Sequence, residues 1–362
     1  MLRAFYQYHK QDTGQRAHCI ARSAGTTLAA CTLHARTRAR ATKQKGDNVK
    51  SSTLLYLALA LATGAGALQA APFAYVPNEK SGTVSVIDTA TDAVVREIAA
   101  GKRPRGIAID PAGTHLFLSD ALTNTLLTLA TNGGARRTTA LGKSPEGVSS
   151  SADGKYVAVA VEESNSVTLL DAASGVQLAD IKVQGKNPEH AVFSPDGRYL
   201  LVSAEEAEQV DVIDVATRKQ IGSIAVGMRP RGIGFSPDSS RAYVACELVN
   251  TVYVLDLATR RTLATIPAGK NANGIAVHPS GKQVYVSNGT DGTVMVIDIA
   301  RNTVIHTIAV GKRPWNMAIT PDGAKLYVAN GRSNSISVID TASARKVADI
   351  AVGELPWGVV IR

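Results

Sequence analysis

The sequence predicts an all-β fold, a seven-bladed β-propeller, and three observations carry that prediction. Glycines at Gly101, Gly142, Gly185, Gly227, Gly269, Gly311 and Gly353 recur at intervals of 41 to 43 residues. Each interval holds four strand-length apolar runs separated by turn residues, the signature of one propeller blade per repeat. The two ends of the repeat region are also complementary. Phe73-Ala74-Tyr75-Val76 is a strand of the second type with no inner strand before it, and Pro356 to Arg362 is an inner-type strand with nothing after it. Pairing them completes a blade and closes the ring, which removes the sheet edges an open array would expose.

Within one repeat the elements follow a fixed order. Trp315 to Ile319 alternates as an inner strand, and Thr320-Pro321-Asp322-Gly323 forms a tight turn. Lys325 to Asn330 is the second strand, Ser335 to Asp340 the third, and Lys346 to Val352 the outer one, after a turn at Thr341-Ala342-Ser343. Asp88, Asp171, Asp214, Asp256, Asp298 and Asp340 end the third strands. An Asp there accepts a hydrogen bond from the backbone two residues on, so these carboxylates read as turn caps rather than as a catalytic set. Residues 105–142 diverge most, with Ala130 in place of the Asp and Gly133-Gly134 loosening the next turn.

Composition excludes one class of partner recognition. The chain carries a net charge of +9, but residues 1–50 hold ten Lys and Arg against two Asp, and residues 72–362 hold 29 basic and 28 acidic side chains. The repeat region is therefore almost neutral, and no whole-body field for nucleic acid exists there.

Residues 1–48 form a basic tail that is not expected in the mature protein, with Val49 as the expected start of translation. Residues 49–70 read as a signal peptide: Lys50, an apolar stretch from Leu54 to Ala62, then small residues with cleavage near Ala67 or Ala70. The apolar stretch is shorter than the roughly 20 residues a membrane span requires. Residues 71–362 are then an exported propeller, periplasmic or secreted, with no membrane association after cleavage. An Arg-rich organelle transit peptide is the alternative reading of the tail. Cys246 is the one cysteine of the propeller and stands where Asn288 and Asn330 stand in later repeats, as a small buried residue rather than a reactive thiol.

The strands Tyr75-Val76-Pro77-Asn78, Tyr285-Val286-Ser287-Asn288 and Tyr327-Val328-Ala329-Asn330, with the Val-Ile-Asp segments after them, resemble the YVTN-repeat propeller family over residues 73–362. That resemblance implies a seven-bladed, exported or cell-surface protein that binds or scaffolds. The closing Leu355-Pro356-Trp357-Gly358-Val359-Val360 is similar to the end of periplasmic propellers associated with quinoprotein (PQQ-linked) alcohol oxidation. Haem-binding and lactonase-like propellers are also relatives of this family, so the fold by itself constrains function weakly.

The mouth of the central channel is where function is expected. The middle residue of each Pro-x-Gly element, in the loop entering an inner strand, should surround it: Arg105, Glu146, Glu189, Arg231, Asn273, Trp315 and Trp357. Ala272 replaces the proline in one repeat, and His190 stands where glycine is usual in another. Trp315 and Trp357 are the only tryptophans and occupy equivalent positions in adjacent blades, which suggests a paired aromatic platform. Loops between second and third strands add Glu162, Glu163, Glu205, Glu206, Glu208 and Glu247. Lys102, Arg103, Lys312 and Arg313 lie near the tryptophans in the repeat, which predicts a mouth with one acidic and one basic, aromatic rim.

No catalytic or metal-binding motif appears, so the expectation is a non-catalytic protein without a resident cofactor, binding a periplasmic partner protein or small ligand. Single-stranded nucleic acid, stacked on the tryptophans with Lys and Arg on its phosphates, is a second possibility. A haem- or cofactor-binding redox propeller using His190 is a third.

Overall fold

The computed structural model describes residues 72–362, which build seven four-stranded antiparallel sheets. The basic tail expected at residues 1–48 and the signal peptide expected at 49–70 lie outside the described residues. Successive inner strands, Pro104–Ile109, Pro145–Ser150, Pro188–Phe193, Pro230–Phe235, Ala272–Val277 and Pro314–Ile319, contact one another in order around a central axis. We number the blades 1 to 7, with Phe73–Asn78 in blade 1 and Pro314–Ile319 in blade 7. Among the described residues the only helical element is a turn at Glu162–Ser164, and no helix is long and apolar enough to cross a membrane.

The ring closes as the end-to-end complementarity predicts. Ala74 and Tyr75 pair with Ile361 and Val360, and Phe73 and Arg362 exchange backbone hydrogen bonds at 2.9 and 3.0 Å. Only Val360–Ile361 forms regular strand, however, and Pro356 makes one isolated bridge to Asn78. The first half of the predicted seven-residue inner strand pairs only through that bridge and the Trp357 amide, which donates to the Pro77 carbonyl at 3.0 Å. The same seam is tied by Lys325 Nζ, which donates to Asp92 Oδ2 at 2.7 Å and to the Thr89 carbonyl at 2.9 Å across blades 7 and 1.

The two most regular letters of the repeat touch each other. Asn330 Oδ1 accepts the Gly311 amide at 3.1 Å, and a Cβ at Gly311 would stand 2.5 Å from Asn330 Cγ. Asn288 treats Gly269 the same way at 3.0 Å. In these blades, and at Gly353 beside Asn78, the buried Asn seals the loop over the glycine, and Cys246 fills that slot in blade 5 as a buried thiol pushed up to about 12 by burial. The aligned aspartates are turn caps: Asp88 takes the amide two residues on, while Asp214, Asp256 and Asp340 take the one three residues on. Between blades, side chains such as Tyr243, Tyr285, Val286 and Leu326 are buried in face-to-face sheet packing, which holds the ring together.

Candidate functional site

The residues predicted to ring the mouth do converge. A cavity of about 380 Å³ is lined by Arg105, Glu189, Arg231, Asn273, Trp315 and Trp357, six of the seven positions read from the repeat. Except for Trp357 each is the second residue of its inner strand, at the point where pairing with the second strand shifts register. The residue before the proline sets the approach. Ser144, Asn187, Arg229, Asn271, Arg313 and Leu355 all adopt the left-handed region, with φ from 53° to 57°. Non-glycine residues rarely adopt that conformation, at a cost of order 1 kcal/mol or more each, and such strain persists only where the surroundings enforce it.

The seventh position, Glu146, does not line the cavity but lies fully buried beside it. Its carboxyl contacts the Arg105 guanidinium, and its Oε2 has no hydrogen-bond partner. Burial first, then the neighbouring Glu189, pushes this carboxyl up to about 8, against the opposing pull of Arg105. Burial and Glu189 together bias Glu146 toward its neutral form.

The two-rim mouth is corrected by the structure. Arg231 sits among the predicted acidic residues, with Nη1 2.7 Å from Glu189 and 2.5 Å from Glu205, and Nε 2.9 Å from Glu247. Arg313 reaches from blade 7 to blade 5, where Nη2 donates to Glu247 Oε1 at 2.9 Å. On the supposedly basic side, Glu79 accepts Arg103 Nε at 2.7 Å and Arg105 Nε at 3.1 Å. Opposite charges interleave because a buried guanidinium needs a carboxylate within contact distance, and neighbouring blades supply one. Lys312 is exposed and outside the cavity, as is Lys102; only their backbone amides serve the loops.

The tryptophans do not form a paired platform. Trp315 lies against Gly331, where any Cβ would strike its ring, and forms a wall of the cavity. Trp357 is 9% exposed and meets His190 across the channel, with ring centroids 5.4 Å apart and tilted by 43°. His190 belongs to blade 4 and Trp357 to blade 1, so together they form a floor. Beneath it lies a second space of about 130 Å³, lined mainly by Ile107, Val148, Val192, Ile233 and Ile275. Burial pushes the His190 imidazole down to about 4, so it is neutral. Among the described residues no group of three or more metal-ligating side chains forms.

Glu79, Arg229 and Asn316 belong to the site and were not singled out in the sequence. Asn316 had a legible signal: like His190, it replaces the glycine of a Pro-x-Gly element. At Gly274 a Cβ would overlap the Trp315 carbonyl of the next blade, so glycine lets inner strands approach. Blades 4 and 7 instead send His190 and Asn316 into the channel, and both line both spaces. A wider groove of about 1210 Å³ lies at the opposite face, between turns at Thr89, Pro111 and Pro321, but its Lys325 is already bound to Asp92.

Comparison with known proteins agrees with this architecture. A family model described as lactonase, 7-bladed beta-propeller, matches residues 216–346, and one for a choice-of-anchor I domain matches residues 123–274. No curated protein matches the chain in sequence. Among solved structures, hydrazine synthase from Kuenenia stuttgartiensis is similar at 22% identity and TM-score 0.68, covering 74% of this chain and 92% of that one. A functionally unknown protein from Desulfotomaculum acetoxidans is similar at 19% identity and TM-score 0.71, covering 80% and 98%. Dihydro-heme d1 dehydrogenase NirN in complex with DHE is similar at 16% identity and TM-score 0.60, covering 77% of this chain and 63% of that one. At these identities the likeness is one of fold, and by blade count, ring closure and family match the chain is a seven-bladed β-propeller.

Proposed function

We propose that the protein is an exported binding propeller of the YVTN-repeat type, whose mouth takes up a small polar ligand or a side chain projecting from a partner protein. One observation carries this reading: six ring-equivalent residues from six blades, the positions that vary while the scaffold repeats, face a single cavity of about 380 Å³. That volume is in the range of small-molecule sites, and five of these six residues stand on inner strands. Export rests on the leader-like segment 49–70, and service to a quinoprotein alcohol-oxidation system rests on the terminal Leu355 to Val360 resemblance. Both tryptophans of the chain line the cavity, so occupancy should change intrinsic fluorescence. A screen of small charged organic molecules should give a saturable emission change that Asn273→Leu weakens. A mouth that responds to none of them, and no loss of partner capture in the same variant, would sink the reading.

Hydrolysis of a cyclic ester is a second reading, favoured by the lactonase family match and by Glu189, a cavity carboxylate beside the buried Glu146, whose carboxyl is biased toward its neutral form. Such a pair can divide acid and base roles. Turnover of a simple lactone that Glu146→Gln abolishes would establish it; no turnover leaves the binding reading alone. The geometry lends less support to the other expectations. Arg103, Arg105, Arg229, Arg231 and Arg313 each already contact a carboxylate, which would repel a phosphate chain. His190 packs on Trp357 in the floor, away from the open face a haem would need.

A further inference from the structure

The charged groups of the mouth satisfy one another in part. Glu247 is the best supplied: it accepts Arg231 Nε and Arg313 Nη2, each at 2.9 Å, and Asn271 Nδ2 at 3.1 Å. Glu79 accepts two guanidinium groups through one oxygen. Three of the arginines keep unused donors. Among the described residues both terminal nitrogens of Arg103, Nη2 of Arg105, and Nη1 and Nε of Arg313 have no protein partner, and all three side chains line the cavity. Unused donors on a planar fork match the two oxygens of a carboxylate.

Charge count limits the size of the anion. Five arginines line the cavity against four glutamates, with Glu247 buried directly behind. With Glu247 counted the charges balance, five against five, so a phosphate dianion or polyanion would stand among carboxylates it repels, and a single carboxylate is the smaller demand. The remaining walls are flat and weakly polar: Trp315 at the side, and at the floor Trp357 with His190, less than one-tenth exposed, whose ring nitrogens have no protein partner among the described residues. Such walls hold an apolar ring by area and leave His190 and Asn273 to fix its orientation.

From this we infer that the mouth recognises an organic monocarboxylate with a flat apolar body, its carboxylate held by the free guanidinium nitrogens of Arg103, Arg105 or Arg313 and its body against Trp315 and Trp357. The inference rests on the mouth being a binding site, and the test separates the two claims. The intact protein is titrated calorimetrically with benzoate, benzamide and benzylammonium, which share one ring and differ in charge. Benzoate should bind roughly tenfold or more tightly than benzamide, the expected scale for charge-assisted hydrogen bonds. Arg313→Gln together with Arg103→Gln should reduce that preference by weakening benzoate more than benzamide, and Trp315→Ala should weaken benzoate and benzamide alike. Equal binding of benzoate and benzamide, preference for benzylammonium, or tighter binding of inorganic phosphate would overturn the carboxylate assignment and leave the mouth a binding site of another chemistry. Binding of none of these probes would overturn both claims.

Discussion

The mouth holds two arginine–glutamate clusters that reach opposite ends by the same scaffold. Around Arg231, one guanidinium serves Glu189, Glu205 and Glu247, and Arg229 and Arg313 add two more cations to Glu247. Glu247 is 2% exposed, yet these arginines outweigh the cost of its burial and hold its carboxyl below the ordinary carboxylate range. Around Arg105, one guanidinium is shared between Glu79 and Glu146, and Glu146 faces Glu189 besides. There desolvation wins and the carboxyl is pushed up to about 8. Glu146 is the more strongly desolvated and faces a second carboxylate, whereas three guanidinium groups surround Glu247, and these differences set opposite directions for the two carboxyls.

The largest expected difference between the clusters comes from removing the central cation. Arg231→Met would strand Glu189, Glu205 and Glu247 with fewer partners, a loss of about 3–5 kcal/mol for a broken buried network. Arg105→Met should cost less, about 1–2 kcal/mol, because Glu146 is biased toward its neutral form and Glu79 retains Arg103. Urea unfolding of the two variants measures this directly. Equal losses would mean that the two clusters do not differ in charge state.

Replacing the carboxylates sharpens the same contrast on a smaller scale. Glu247→Gln turns an acceptor of three guanidinium groups into one that must present two donor hydrogens to arginines, a loss of about 2–3 kcal/mol. Glu146→Gln replaces a carboxyl held toward its neutral form by an isosteric amide that cannot ionise in the unfolded chain, and should raise stability at neutral pH rather than lower it. A destabilisation by Glu146→Gln as large as that by Glu247→Gln would show Glu146 to be ionised.

This cluster chemistry marks where the sequence stops being readable. The blades, the closure of Phe73 against Arg362 and the ring of residues at 105, 189, 231, 273, 315 and 357 were all legible, because a repeat puts equivalent positions in equivalent places. What a repeat cannot convey is pairing between blades. Arg313 meets Glu247, 66 residues away, so charges assigned to separate rims by blade became partners in one network. Arg229 stands before the proline of its repeat as Arg103 and Arg313 do in theirs, so its place in the mouth was legible from the same alignment that picked out those two. Trp357 looked equivalent to Trp315, but the ring-closing segment it belongs to leaves the strand geometry, and its ring turns inward onto His190.

The smallest effect is also the most specific, a difference in pH dependence between the clusters. Glu146 has a folded pKa of about 8, raised above its unfolded value near 4.5, so its contribution is fully present below that unfolded value and is lost as pH rises through about 8. Glu247 has the opposite sign: its folded pKa is lowered, so its contribution is present above its unfolded pKa and is lost as pH falls through the folded one. His190 complicates the middle range, because its folded pKa of about 4 lies under an unfolded value near 6.5 and it costs stability as pH falls between them. Between about 6.5 and 8, however, Glu146 is the one of these three groups that titrates in either state. In that window wild type should lose stability with rising pH relative to Glu146→Gln, all other groups cancelling in the difference. Below about 4.5 the wild type should instead lose stability with falling pH relative to Glu247→Gln. Parallel curves for wild type and Glu146→Gln from pH 6.5 to 8 would place the proton elsewhere, and the two clusters would then be alike in charge.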